Sequence, residues 1–173
     1  MRWLLLLLLL AACRAQGLPE PYATLERGGK EALRQVALEA QGYAGLLAGW
    51  LLVGEEDLPL AERAEYAWRY ALFLEEVRAF EPGWEAEAAW RVAAPLLEAA
   101  EDARAFSAWA RLLPEEEAVQ ALLRLGQGER LCEALVRGRA YEPLLKALPE
   151  GERPDLRAQA LYRLGRYEEA LPH

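Results

Sequence analysis

The chain contains almost no β-branched residues: of its 173 residues six are Val, one is Thr and none is Ile. Because these side chains cover the pleated faces of a β-sheet, a sheet of any size lacks its usual material. Ala, Leu, Glu and Arg, which all favour helices, account for 111 residues. The sequence therefore predicts an all-α fold and excludes all-β and α/β architectures.

The residue types that usually build catalytic sites are scarce. There is one His, one Ser (Ser107), two Cys and no Asn, which leaves little material for a nucleophile, a proton shuttle or a metal site. The 25 Glu and three Asp offer many carboxylates, but no pair is set apart from those expected on solvated helix faces. We therefore predict that the protein is not an enzyme and has no catalytic residue, no cofactor and no metal ligand.

The first twelve residues have the order of a secretory signal. Arg2 supplies a positive charge, residues 3–10 are apolar, and two alanines follow. The apolar run is too short to span a bilayer, which needs roughly 20 residues. Residues 10–13, Leu-Ala-Ala-Cys, resemble the lipobox of bacterial lipoproteins, and this resemblance implies that Cys13 becomes the first mature residue and carries lipid. A second possibility is ordinary cleavage after Ala15, because Cys13 and Ala15 also supply small side chains just before that cut. A third is that the segment stays uncleaved.

The charge of the chain disfavours several classes of partner. Its net charge is −8, and removal of residues 1–12 takes away Arg2 and leaves −9. Nucleic acids and anionic lipid surfaces are bound by basic stripes, so neither is expected as a partner. Contact with a membrane is therefore expected only through a lipid anchor, on a protein located in the periplasm or the cell envelope.

Apolar residues recur at spacings of three and four from about residue 25 onward, and Pro and Gly fall where helices should stop. Residues 13–24 are predicted to be a linker and residues 25–173 a helical domain. Gly42 lies inside the first predicted helix, so this helix either breaks near Gly42 or packs closely against another backbone. Helices are predicted over residues 30–53, 57–80, 84–100, 102–113, 115–125, 129–137, 141–148 and 155–164.

Two short segments near the end of the chain repeat one another. Residues 134–145 align with residues 160–171 at an offset of 26, with a one-residue slip that pairs the two turn glycines. The second copy resembles the turn and the opening of the second helix of a tetratricopeptide repeat. The resemblance implies a turn glycine, a tyrosine whose ring caps the hairpin and a small residue where the two helices close; the residues concerned are Gly138, Tyr141, Gly165, Tyr167 and Ala170. The expected fold is a right-handed superhelix, an α-solenoid of short antiparallel helix pairs.

The spacing near 26 and the exported N-terminus are also similar to the helical superhelix that precedes the catalytic domain of bacterial soluble lytic murein transglycosylases. That family has a catalytic Glu in a Glu-Ser context, whereas the one Ser here follows Phe106, so no catalytic residue is carried over. The last predicted helix begins at Tyr167 and is short. The domain is therefore expected to be incomplete at its C-terminus, with the apolar face of the preceding helix uncovered.

Two functions follow from these patterns. The first is a non-catalytic helical-repeat scaffold in the cell envelope that binds a protein or peptide on its concave surface. The alternative is the superhelical portion of a peptidoglycan lytic transglycosylase that lacks its catalytic domain and holds peptidoglycan. Aromatic side chains stack on sugar rings, but aromatics at helical spacing more often belong to a core.

Lipid attachment at Cys13 is directly testable. Cells that express the full chain and are fed labelled palmitate should incorporate the label into the protein, and Cys13→Ser should abolish it, because the thiol is the acylated group. Ser107→Ala is a control that should label like the wild type. A wild-type chain that is exported without label would instead support cleavage after Ala15.

Overall fold

The computed structural model describes residues 20–77, 85–126, 128–149 and 151–171. Cys13 and the rest of the predicted signal lie outside these residues. The described chain contains helices and no strand, so the all-α prediction is confirmed. The helices are α1 (Tyr22–Arg27), α2 (Lys30–Glu39), α3 (Tyr43–Leu52), α4 (Leu60–Val77), α5 (Ala86–Ala99), α6 (Ala105–Ala110), α7 (Glu116–Leu125), α8 (Gly128–Arg137), α9 (Tyr141–Ala147), α10 (Pro154–Arg163) and α11 (Tyr167–Ala170).

The chain divides into two compact units between Leu58 and Pro59. The sequence had suggested a single domain over residues 25–173. Helix α1 begins at Tyr22, within the segment expected to be a linker. The predicted helix boundaries beyond Pro59 otherwise agree with the structure to within a few residues, because Pro and Gly mark most of them.

The first unit consists of α1, α2 and α3, which pack against one another. The helix predicted over residues 30–53 is broken at Gly42, whose φ of 77° lies in the left-handed region that favours glycine. Gly45 lies one turn further on and is buried. A Cβ at Gly45 would stand 2.2 Å from the carbonyl oxygen of Ala40, so glycine is required for the close turn between α2 and α3.

In the second unit each helix packs mainly on its neighbours in sequence. Helix α5 packs between α4 and α6, and α7 packs on α6 and on α9. Helix α10 in turn packs on α9 and α11. Small residues make these contacts close: helix α4 buries Ala64, Ala67 and Ala71, which follow one another at helical spacing. Such a layout keeps most contacts local in sequence.

Three helices of the second unit end in the same backbone conformation. The second residue after the end of α5, α8 and α10 has a positive φ, which is 54° at Glu101, 52° at Arg139 and 76° at Gly165. Arg139 and Gly165 are 26 residues apart, so the backbone repeats at the offset found in the sequence without the slip. The sequence alignment had paired Gly138 with Gly165, whereas the structure pairs Arg139 with Gly165.

The hydrogen bonds of these three turns are also the same. In each turn the amide after the left-handed residue donates to the carbonyl of a leucine five residues earlier, which is the hydrogen bond of a Schellman motif. The pairs are Asp102 to Leu97 at 2.9 Å, Ala140 to Leu135 at 3.0 Å and Arg166 to Leu161 at 2.9 Å. All three leucines are buried. The second unit thus repeats one helix–turn–helix element three times.

The face expected to lie uncovered at the end of the domain is buried in the structure. Leu156, Ala160 and Leu161 are at most 2% exposed, because α10 packs between α9 and the short α11. The expectation was therefore wrong for these residues. Leu164 is half-buried, and Tyr162, Tyr167 and Leu171 of the same hairpin are exposed.

The shared turn conformation predicts opposite changes in the free energy of unfolding for two single substitutions. Arg139→Gly should raise the free energy of unfolding by about 0.5–1 kcal/mol, because an arginine in the left-handed region carries a steric cost that glycine lacks. Gly165→Ala should lower it by about 1 kcal/mol for the same reason. Urea unfolding followed by circular dichroism measures both changes.

Arg137→Gly is the matched control for Arg139→Gly, since it makes the same replacement two residues earlier within the right-handed helix α8. It should lower the free energy of unfolding by about 1 kcal/mol. Equal destabilisation by Arg137→Gly and Arg139→Gly would contradict the shared left-handed turn.

Candidate functional site

The residues implied by the repeat resemblance lie at two turns and do not come together in one site. Tyr141 follows the turn after α8 and donates a hydrogen bond to the carbonyl of Val136 at 3.4 Å, so its side chain folds back over the turn. Tyr167 occupies the same place after α10, where its ring contacts that of Tyr162. Ala170 is half-buried on α11, which packs on α10.

A groove of about 590 Å³ lies between α6 and α8, and Glu75 near the end of α4 also lines it. We call it the α6–α8 groove. Its lining combines small residues with charged and aromatic ones; they are Glu75, Phe106, Ser107, Ala110, Arg111, Arg130, Glu133, Ala134, Arg137 and Gly138. On α8 the lining positions follow a helical face.

Phe106 forms one wall of the groove and is held on two sides. A Cβ at Gly126 would stand 2.4 Å from its Cε2 atom, so the ring lies directly against the glycine backbone at the end of α7. The guanidinium of Arg130 lies over the ring, 4.1 Å from its centroid, in a cation–π contact. The position of the ring is thus fixed by packing before anything enters the groove.

Gly138 sets the spacing of α6 and α8 at the other end of the groove. A Cβ at this position would lie 2.5 Å from the Cβ of Leu113 and 2.7 Å from its Cδ1. The Cβ of Leu113 is fixed to the backbone and cannot rotate away. Gly138 is therefore required for close approach, and the left-handed turn is made by the next residue, Arg139.

The arginines of the groove differ in their ionic contacts. Arg111 donates to Glu75 at 2.7 Å and to the carbonyl of Ser107 at 2.9 Å, so its charge is used within the fold. Arg130 and Arg137 are exposed, and neither forms an ion pair with any residue that the structure describes. They are seven residues apart on α8, which corresponds to about 10 Å along the helix axis. The groove therefore offers two guanidinium groups to a ligand.

A cluster of tryptophans and arginines lies beside the groove on α4, α5 and α6. Trp68 and Trp90 meet edge to face with ring centroids 5.1 Å apart. Arg111 lies 4.6 Å from the centroid of Trp90, and Arg104 lies 5.3 Å from that of Trp68. Guanidinium groups lie over both rings and Trp90 is buried, so this cluster contributes to helix packing.

Arg104 also connects the turn after α5 to α4. It donates to Asp102 at 2.7 Å and to Glu65 at 2.8 Å. The side-chain hydrogen bonds from Arg104 lower the pKa of the Asp102 carboxyl, and those with Asp102 raise the pKa of Arg104. Both groups therefore stay charged at neutral pH, and this network is structural.

A second concavity, of about 680 Å³, lies between α7 and the start of α10. Its arginines are both committed to ion pairs within the fold, Arg124 to Glu98 at 2.8 Å and Arg153 to Asp155 at 3.1 Å. It therefore offers less to a charged ligand than the α6–α8 groove does.

The described residues contain no group of three or more His, Cys, Asp or Glu side chains placed to hold a metal ion. No helix among them is both long and apolar enough to cross a bilayer.

No motif in the sequence marks the groove. Its residues come from three segments of the chain and range from position 75 to position 138. The one available signal was the face of α8 on which Arg130, Ala134 and Arg137 recur at spacings of four and three.

The contact between Gly138 and Leu113 predicts a strong effect of a single methyl group. Gly138→Ala should lower the free energy of unfolding by about 1–3 kcal/mol, because the added Cβ overlaps a fixed neighbour. Adding Leu113→Ala should recover part of this loss, which a double-mutant cycle in urea would measure. Gly54→Ala is the control, since no atom lies within 4 Å of its added Cβ, and it should change the free energy by less than about 0.5 kcal/mol. Equal effects of the two substitutions would disprove the close approach.

Comparison with known proteins gives no assignment. No family model matches the chain, and neither a curated protein nor a solved structure matches it. What the chain binds must therefore be inferred from its own residues and their arrangement.

Proposed function

We propose that the protein is a non-catalytic helical-repeat scaffold of the cell envelope that binds a protein or peptide segment in the α6–α8 groove. The observation that carries the proposal is the repetition of one helix–turn–helix element with identical turn hydrogen bonds at Asp102, Ala140 and Arg166. Repeated hairpins of this kind form extended surfaces that bind other chains, and we take the fold to be a solenoid of the tetratricopeptide-repeat type.

The shape of the groove supports a peptide as the ligand. Four of its lining residues, Ser107, Ala110, Ala134 and Gly138, are small. Small lining residues let the backbone of a bound segment approach closely. The volume of about 590 Å³ falls within the range of ligand sites.

The aromatic and charged side chains of the groove can orient a bound segment. Phe106 offers a ring fixed by its neighbours, and Arg130 and Arg137 offer donors at both ends of one helix face. Aromatic and arginine side chains carry much of the binding energy in protein interfaces. Location in the envelope rests on the signal-like residues 1–12 and on the lipobox resemblance at Cys13.

Peptide binding tests the proposal. Twelve-residue peptides selected from a random displayed library on the full chain should be synthesised, and their dissociation constants measured by fluorescence anisotropy. Ala134→Phe should weaken binding at least about tenfold, because the added ring occupies space inside the groove. Ala88→Phe is the matched control, since it places the same ring on an exposed position of α5 outside the groove, and it should bind like the wild type.

Two outcomes would contradict the proposal. One is a selection that enriches no peptide, or peptides whose affinity is equal for the wild type and Ala134→Phe. The other is release of soluble fragments from purified peptidoglycan by the protein alone, which would show catalysis.

A further inference from the structure

The α6–α8 groove is positively charged in an acidic protein. Three arginines and two glutamates line it, which gives its lining a net charge of +1 in a chain whose net charge is −8. Arg111 and Glu75 pair with each other at 2.7 Å. The other charged lining residues are Arg130, Glu133 and Arg137, which are exposed and form no ion pair with a described residue. A ligand in the groove therefore meets two guanidinium groups and one carboxylate.

The contacts of Arg130 leave its hydrogen-bond donors available. Glu133 lies three residues after Arg130 and four before Arg137, which are spacings at which opposite charges on a helix can pair, yet neither arginine pairs with it. Arg130 instead lies over the ring of Phe106. A cation–π contact holds the guanidinium in place but offers its N–H groups no oxygen acceptor. Arg130 is thus oriented in advance, which reduces the side-chain entropy that a ligand must remove.

The spacing of the two arginines matches a short piece of extended chain. Arg130 and Arg137 are about 10 Å apart along the axis of α8. Three residues of an extended chain span about the same length. Ala134 lies between the two arginines and leaves room for the backbone of such a segment. Two carboxylates about three residues apart in a bound segment could therefore each contact one arginine.

We propose that the segment bound in the α6–α8 groove is acidic and places carboxylates opposite Arg130 and Arg137. This inference rests on the proposed function, since it names the chemistry of the segment that the groove binds. Hydrogen bonds between guanidinium and carboxylate groups are stronger than those between neutral groups. Because the rest of the chain carries a net negative charge, it repels an acidic segment elsewhere and so favours binding in the groove.

The composition of bound peptides tests this inference. Twelve-residue peptides selected from the displayed library on the full chain should contain at least about twice the Asp and Glu of the unselected library. In the peptide that binds most tightly, replacement of its Asp and Glu by Asn and Gln should raise the dissociation constant at least about fivefold.

Two variants of the protein identify the groups that the carboxylates contact. Arg130→Met and Arg137→Met should each weaken the acidic peptide at least about fivefold and change binding of its amide version little. Only Arg130→Met alters the contact with Phe106, so loss in both variants reports the charge and not packing. Arg163→Met is the matched control, since it removes the same charge from an exposed position of α10 outside the groove, and it should bind like the wild type.

A change in the opposite direction is expected at Glu133. Glu133→Gln should strengthen binding of the acidic peptide at least about twofold, because it removes a like charge between the two arginines. Glu168→Gln, which neutralises an exposed carboxylate on α11 outside the groove, is the control and should have no such effect.

The outcomes separate this inference from the proposed function. Peptides that Ala134→Phe weakens, but that are not enriched in Asp and Glu or bind equally to the wild type and both Met variants, would overturn the acidic segment and leave peptide binding in the groove. Peptides that bind Ala134→Phe as tightly as the wild type would overturn the proposed function and this inference with it.

Discussion

Close packing of helices through alanine and glycine is the constraint on which the structure depends. About half of the buried apolar residues in the described chain are alanines. An alanine buries little apolar area, so each contact stabilises the fold only modestly, but it lets helix axes approach closely. Gly45, Gly126 and Gly138 allow still closer contacts at helix ends. A fold packed in this way tolerates few added atoms at its helix crossings.

The repeated turn follows from this packing. The buried leucines at the ends of α5, α8 and α10 supply larger apolar contacts, and their carbonyls accept the hydrogen bond that closes each turn. The turn reverses the chain, so that the helix after the turn packs against the helix before it. Because the geometry is fixed by these contacts, the left-handed position is kept even where the residue is Glu101 or Arg139.

The groove assigned to binding combines small residues with side chains whose charge is not used in ion pairs. Several arginines of the second unit pair with carboxylates, as in the Arg104–Asp102–Glu65 network. Arg130 and Arg137 form no ion pair with a described residue, and they line the α6–α8 groove together with Ser107, Ala110 and Ala134. The shape of the groove and these two guanidinium groups distinguish this surface.

The sequence by itself determined the helical class and most helix boundaries. The chain has few β-branched residues, and Pro and Gly mark most helix ends, so local propensity favours helices over strands. It also located the repeat offset of 26. Only the tertiary structure decided that Arg139, and not Gly138, takes the left-handed conformation, and that Gly138 is needed instead for contact with Leu113. It likewise decided which arginines are paired. These features depend on residues far apart in the chain, whose distances no local pattern encodes.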